Sequence, residues 1–320
     1  MNDFYRTPKP SRPGVLNSSS LTKRNSGSVF VLCSVALSLF AGTVVWGPSF
    51  ADAAESKVVQ KVSVGANFDT KQLVAWCIVP FDASRRGPVE RAEMVERLGL
   101  RRVAYDWRDE HVTTFEKEIQ EYQKRDIEFF AFWDWHPALE PLIKQYKIHP
   151  QIWKIAPSPG SGGIDAEKVK IAGAALLPVA RKALELDCEF GIYNHGGWSG
   201  EPENMIAVCK WLRAELGSDR IGIVYNLHHG HEHQARFSDA LKMMRPYLLC
   251  LNLNGMNLTP DPKILPIGSG SEDASLMKII LASGYCGPIG VLDHRPELDS
   301  EFSLKQNLDG LDSLLESLKK

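Results

Sequence analysis

No strand-like run in this chain is followed by Gly-x-Gly-x-x-Gly or by Gly-x-x-x-x-Gly-Lys-Ser/Thr, so the fingerprints of a dinucleotide fold and a P-loop are missing. No nucleotide cofactor is expected. An excess of charge is missing too: 37 Lys and Arg face 39 Asp and Glu, the formal net charge is −2 and the pI is near 6.5. Basic residues are spread among acidic ones rather than gathered into a stripe, which argues against nucleic acid as a partner. Cys-x-x-Cys spacing is absent. Cys33 falls near the N-terminus, and Cys77, Cys188, Cys209, Cys250 and Cys286 form an odd set, read as buried free thiols with a disulfide allowed but not required. Beyond the first fifty residues, no apolar run is long enough to span a bilayer.

Those first fifty residues differ in kind from the rest. Residues 1 to 28 are rich in Ser, Pro, Asn, Lys and Arg, Val29 to Trp46 is apolar throughout, and Ala51-Asp-Ala53 offers a small-x-small cleavage site. We read residues 1–53 as a signal peptide and 54–70 as a linker. The apolar run exceeds the usual ~7 to 15 residues of a signal h-region, so an uncleaved membrane anchor is the alternative. Gly42, Gly47 and Pro48 suit a cut, and no twin-arginine pair precedes the run. The expected location is periplasmic or extracellular, with the membrane as a partner only if the leader stays.

What is present beyond residue 70 is alternation. Apolar β-like runs at 73–79, 102–107, 128–135, 152–156, 189–194, 221–227, 247–254 and 288–293 are separated by amphipathic stretches near 88–98, 113–125, 138–146, 166–186, 202–216, 235–245 and 271–283, with a last one at 303–318. Continuous apolar strands between helices predict parallel strands covered on their outer face. Eight repeats predict closure into one α/β (β/α)8 TIM barrel domain over residues 71–320.

Such a barrel delivers the last residues of every strand to one face. Those positions hold Asp106, Asp134, His136, Lys154, Asn194, His195, Asn226, His229, Asn252, Asn254, Asp293 and His294, a polar ring with both acids and bases. Asp293 beside His294 can bind metal, orient a hydroxyl or shuttle a proton near neutral pH. His195 precedes Gly196-Gly197, which let backbone approach a ligand. After strand six come His228, His229, His231 and His233; in an extended exit His229, His231 and His233 share a face and His228 points away. His229 is the first choice for a site role, His231 the second, and His233 is expected in a solvated loop. Lys154 can polarise a carbonyl or act as a base, or it can pair with Asp134. Trp133, Trp135, Trp153 and Trp198 offer flat faces to a sugar ring or to the barrel core.

Three stretches resemble the xylose isomerase-like sugar phosphate isomerase/epimerase superfamily. They are Tyr193-Asn-His-Gly-Gly-Trp198, Tyr225-Asn-Leu-His-His-Gly230, and Leu265-Pro-Ile-Gly-Ser-Gly270 with Gly284-Tyr-Cys-Gly-Pro-Ile-Gly-Val-Leu-Asp-His294. The resemblance covers about residues 71 to 318 and implies one divalent metal held by Glu, Asp, His and Glu after strands five to eight. At those positions this chain has Asn194 or His195, Asn226, Asn252 and Asp293, and amides are weak ligands where Mn2+ and Mg2+ favour carboxylates. A set of His195, His229, Asp293 and His294 suits Zn2+, Fe2+ or Mn2+.

The expectation is therefore an exported isomerase or epimerase of a free or oxidised carbohydrate, abstracting a proton next to a carbonyl, with or without a metal. Catalysis falls to His195, His229, Asp293 and Lys154, and substrate binding to Asn194, Trp198, Asn226, Asn252 and His231. A keto-sugar lyase shares the first step. A metal-dependent phosphoesterase, as in the endonuclease branch of the fold, lacks its fuller ligand set here. A catalytically inactive sugar-binding barrel explains the asparagines. A homo-oligomer is left open.

Overall fold

The computed structural model describes residues 65–319, so the expected signal peptide and the linker up to residue 64 lie outside the described residues. Eight strands form a closed barrel, each hydrogen-bonded in parallel to its sequence neighbours, with the first pairing to the eighth. They are β1 (Val74–Trp76), β2 (Arg102–Tyr105), β3 (Glu128–Trp133), β4 (Gln151–Ile155), β5 (Phe190–Tyr193), β6 (Ile221–Asn226), β7 (Leu248–Leu253) and β8 (Ile289–Leu292). The helices are α1 (Pro88–Arg97), α2 (Phe115–Lys124), α3 (Leu139–Tyr146), α4 (Ala166–Glu185), α5 (Pro202–Leu216), α6 (Phe237–Met244), α7 (Asp273–Ala282) and α8 (Ser300–Ser317). Among the described residues no helix is long and apolar enough to cross a membrane.

Period-two alternation sorts the strand side chains into two cores. Ala75, Val103, Phe129, Ile152, Ile192, Ile223, Leu251 and Val291 face outward and join the helices in the larger cluster. Trp76, Ala104, Phe130, Trp153, Tyr193, Val224, Cys250 and Leu292 fill the barrel interior. Trp153 fits there because Gly191 on the neighbouring strand has no side chain: a Cβ would lie 3.0 Å from Trp153 Cδ1 and 2.7 Å from Val224 Cγ2. The interior aromatics touch one another, Trp76 to Trp153 at 4.9 Å and Trp133 to Tyr193 at 4.8 Å between ring centroids. Cys77, Cys188, Cys209 and Cys250 are buried free thiols and Cys286 is an exposed one.

Several elements end as their residues dictate. Pro88 and Pro202 open α1 and α5, where a missing N–H costs nothing. Asp165 caps α4 by accepting from Lys168 N. The Gly-Ser-Gly turn before α7 is held by the Asp273 carboxylate, which accepts from Gly268 N at 2.7 Å, Gly270 N at 3.0 Å and Met256 N at 2.6 Å.

Candidate active site at the C-terminal mouth of the barrel

Two carboxyls lie deepest at the mouth. Asp106 follows β2 and Asp293 follows β8, and both flank the exit of β1, because Asp293 N donates to Trp76 O at 2.8 Å and Val79 N donates to Asp106 Oδ1 at 3.3 Å. Asp106 is 2% exposed and Asp293 1%, so ionising either one removes a charge from water. Burial lifts Asp106 to about 7, opposed mainly by Arg108. It lifts Asp293 to about 8, against the nearby Ser300 hydroxyl and Arg295, with the charge of Asp106 adding to the rise. Among the described residues, neither Asp293 oxygen closes a hydrogen bond of normal length, and Asp106 Oδ2 is likewise without one. Between them sits Cys77, with φ of 65°, whose thiol is pushed far up by burial and by the adjacent Asp106.

Across the mouth runs a chain of imidazole contacts. His195 lies 4.3 Å from His229, His229 lies 3.6 Å from His228, and His228 lies 5.9 Å from His294, all between ring centroids. His294 packs on Phe81 at 3.8 Å, and the Arg108 guanidinium lies 5.4 Å from the centre of the same Phe81 ring. Burial and mutual repulsion keep these rings neutral. Burial first, then His195 and Lys263, lowers His229 to about 2; burial, then Arg108 and Lys263, lowers His294 to about 4. His195 and His228 move the same way, again chiefly through burial. A neutral imidazole is a poor proton acceptor at such pKa values but a good N–H donor to a carbonyl oxygen.

The histidine run corrects the parity expectation. After Asn226 the chain turns into short 3-10 segments, Leu227–His229 and His231–Arg236, rather than continuing extended, with Asn226 Oδ1 accepting from His228 N. His228 therefore packs against His229, the ring planes tilted by 43°, instead of facing away. His233 is buried rather than solvated: its Nδ1 lies 2.7 Å from Tyr225 Oη and its Nε2 3.3 Å from Glu201. His231 is half-buried, its Nδ1 3.3 Å from His228 O.

The expected substrate-binding amides serve first as ties between strand ends. Asn194 Oδ1 accepts from Asn226 N at 2.7 Å while its Nδ2 donates to Asn226 O at 3.1 Å, and Asn226 Nδ2 donates to Tyr193 Oη at 2.5 Å. Asn252 Oδ1 accepts from Cys250 Sγ and rests against Gly290, where an added Cβ would lie 1.8 Å away. Asn252 Nδ2 and Asn254 Oδ1 are buried without a hydrogen-bond partner among the described residues. Trp198 is buried in the outer core and donates to Gly163 O at 3.0 Å, holding the loop before α4. Lys154 forms an ion pair with Asp134, the pairing alternative.

These placements also decide the fit of a divalent metal. Three of the four implied ligand positions are neutral amides, two of them with oxygens already accepting backbone N–H groups. Among the described residues no three His, Cys, Asp or Glu side chains are grouped to hold a metal ion, so His195, His229, Asp293 and His294 are not assembled as a metal centre. Neutral amides at these positions are poor ligands for Mn2+ or Mg2+.

Two side chains at the mouth escaped strand-end reasoning. Arg108 lies two residues beyond Asp106, and Lys263 belongs to the long loop after β7, where no periodicity marks it. Arg108 could be found by extending each strand end by two residues. Lys263 carried no such signal.

No protein-family model and no curated protein matches the sequence. Solved structures do match by shape. The probable 3-DHS dehydratase AsbF of Bacillus anthracis superposes with a TM-score of 0.58 at 12% identity, over 75% of this chain and 98% of that one. A protein named IOLI, solved with a zinc atom, gives 0.57 at 11% identity, over 77% and 98%. An L-ribulose 3-epimerase gives 0.57 at 12% identity, over 77% and 96%. The chain thus shares the (β/α)8 TIM-barrel fold of these proteins.

Proposed function

We propose that this chain is a sugar-modifying enzyme that moves a proton next to a carbonyl, acting as an isomerase or epimerase of a free or oxidised carbohydrate. One observation carries the reading: two buried carboxyls with pKa values near 7 and 8 lie beneath a row of neutral imidazoles. Near neutral pH carboxyls with such values supply both an ionised and a protonated group, a base and an acid at one mouth. The ionised carboxyl takes the proton from the carbon next to the carbonyl, and the C–H electrons form the double bond of an enediol. An imidazole N–H of His229 or His195 stabilises the charge reaching the carbonyl oxygen. For an isomer the acid partner protonates that oxygen, the hydroxyl on the deprotonated carbon gives up its proton to become the new carbonyl, and the abstracted proton returns to the former carbonyl carbon. For an epimer a proton returns to the opposite face of the same carbon. The buried Asn252 Nδ2 and Asn254 Oδ1 are left to bond sugar hydroxyls.

The fold neighbours whose names state an epimerase and a dehydratase support a sugar-modifying enzyme and its lyase variant. In that variant the same enediol expels a β-hydroxyl, which leaves as water after protonation by the acid partner. We keep the exported location in this proposal, on Val29–Trp46 and Ala51-Asp-Ala53. N-terminal sequencing of the protein recovered from the cell envelope tests it: a new start near residue 54 supports cleavage, and an intact Met1 supports an anchor.

The activity is tested by incubating aldoses, ketoses and uronates with the protein and following products by NMR. Turnover that disappears in Asp293→Asn while sugar binding persists supports the enzyme. Sugar binding by the unaltered protein without any turnover supports an inactive sugar-binding barrel.

A further inference from the structure

We infer that the substrate of this site bears a carboxylate, held between Lys263 and Arg108 over the imidazole row. The inference rests on the sugar-enzyme reading above and names its substrate class.

Lys263 is a positioned cation although its side chain is exposed. Its loop is closed at the base by an antiparallel bridge between Gly255 and Leu265. Gln234 Nε2 donates to Asn257 O at 2.9 Å, and Asp273 holds Met256 N, which ties the loop to the segment after β6 and to α7. The next residue, Ile264, packs on the aromatic cluster that fills the barrel interior. The backbone that carries Lys263 is thereby tied to the mouth, and the lysine's charge helps to lower the pKa values of His195, His228, His229, His231 and His294. At the other end of the row, Arg108 is steadied by donating to Asp106 O at 3.1 Å and Trp107 O at 2.7 Å, beside the Phe81 ring.

Neither cation closes an ion pair with a carboxylate among the described residues, although Arg108 lies close enough to Asp106 to oppose the rise of its pKa. The acids that could serve are committed: Asp134 to Lys154, Asp82 to Arg86, and Glu201 to Arg236 and His233. Asp106 and Asp293 are buried beside the exit of β1. The mouth therefore carries two cations among neutral rings, Arg108 beside Asp106 and Lys263 with no acid near it among the described residues, a field that draws in an anion.

Carboxylate is favoured over phosphate by the loop before α7. Barrels of this class often bind phosphate on backbone N–H groups after strands seven and eight, at a helix N-terminus. Here the N–H groups of Gly268 and Gly270 are already taken by Asp273. What remains is a planar guanidinium fork and a point charge, enough for a monoanionic carboxylate.

The test is titration of the full protein with D-glucuronate and D-galacturonate, against D-glucose, D-galactose and D-glucose 6-phosphate, by calorimetry at low and moderate salt. The uronates are expected to bind at least about tenfold tighter than the neutral sugars. Lys263→Gln is expected to erase that preference, leaving neutral-sugar affinity unchanged, and Lys263→Arg to retain it. Equal affinity for glucose and glucuronate, a preference untouched by Lys263→Gln, or tighter binding of the phosphate overturns the inference while the sugar-enzyme reading stands. If no sugar or uronate binds, that reading falls and the inference with it.

Discussion

At the residue scale the account turns on Asp106 and Asp293, whose low exposure lifts their pKa values into the range where proton transfer is efficient. The profile of kcat/KM against pH is expected to be a bell with apparent pKa values near 7 and 8, belonging to the pair rather than to either residue. Replacing Asp293 by Asn is expected to lower kcat by about 10²- to 10⁴-fold. His229→Gln keeps a donor but misplaces it, and a loss of about 10²-fold in kcat with little change in melting temperature is expected. Because amides tie the strand ends where metal ligands are implied, dialysis against a chelator is expected to leave turnover unchanged; loss of turnover restored by Mn2+ or Zn2+ would contradict that placement. Much of this site was legible in the sequence, because strand ends converge in a barrel and Asp106, His195, His229, Asp293 and His294 all fall there. The path of the chain after Asn226 was not legible, since its 3-10 turns arise from local bonding such as the Asn226 cap on His228. Lys263 was hidden for a similar reason: a loop's own hydrogen bonds place it, and these follow no period.

At the element scale, the alternation of apolar runs and amphipathic stretches placed all eight strands and all eight helices, with differences confined to ends. The ends differ because the last polar residues of a predicted strand, such as Asp106 or Asn254, leave the ladder to face the mouth. Close approach between strands also fixes particular residues. At Gly290 an added Cβ would overlap Asn252 Oδ1, so Gly290→Ala is expected to destabilise by about 1–3 kcal/mol, read as a lower denaturation midpoint in urea. Between α1 and α2, Arg91 donates to Glu118 at 2.7 Å with both side chains buried. Removing one partner strands the other charge, and Glu118→Ala is expected to cost about 3–5 kcal/mol, whereas replacing both with apolar residues of similar volume should cost far less.

For the whole molecule, the mouth links stability to pH in two opposing ways. Asp106 and Asp293 have folded pKa values above their unfolded ones, so the unfolded chain releases their protons first, and stability falls as pH rises from about 4 through about 8. The imidazoles have folded values below the unfolded one, so the unfolded chain binds protons first and stability is lost as pH falls from about 6.5 toward 4. Asp293→Asn should therefore raise the melting temperature at pH 9 relative to the unaltered protein and leave it nearly equal at pH 4. A decline on the alkaline side that this variant does not reduce would place the buried charge elsewhere.

Proton abstraction itself is the central claim, and it can be read without knowing the product. The measurement is deuterium incorporation by NMR into the carbon next to the carbonyl when ketoses, aldoses and uronates are incubated with the protein in D2O. Deuterium entering at least one of them with the unaltered protein, and not with Asp293→Asn, is the predicted result. A substrate that is bound but never exchanges, or exchange that continues undiminished in Asp293→Asn, would contradict it.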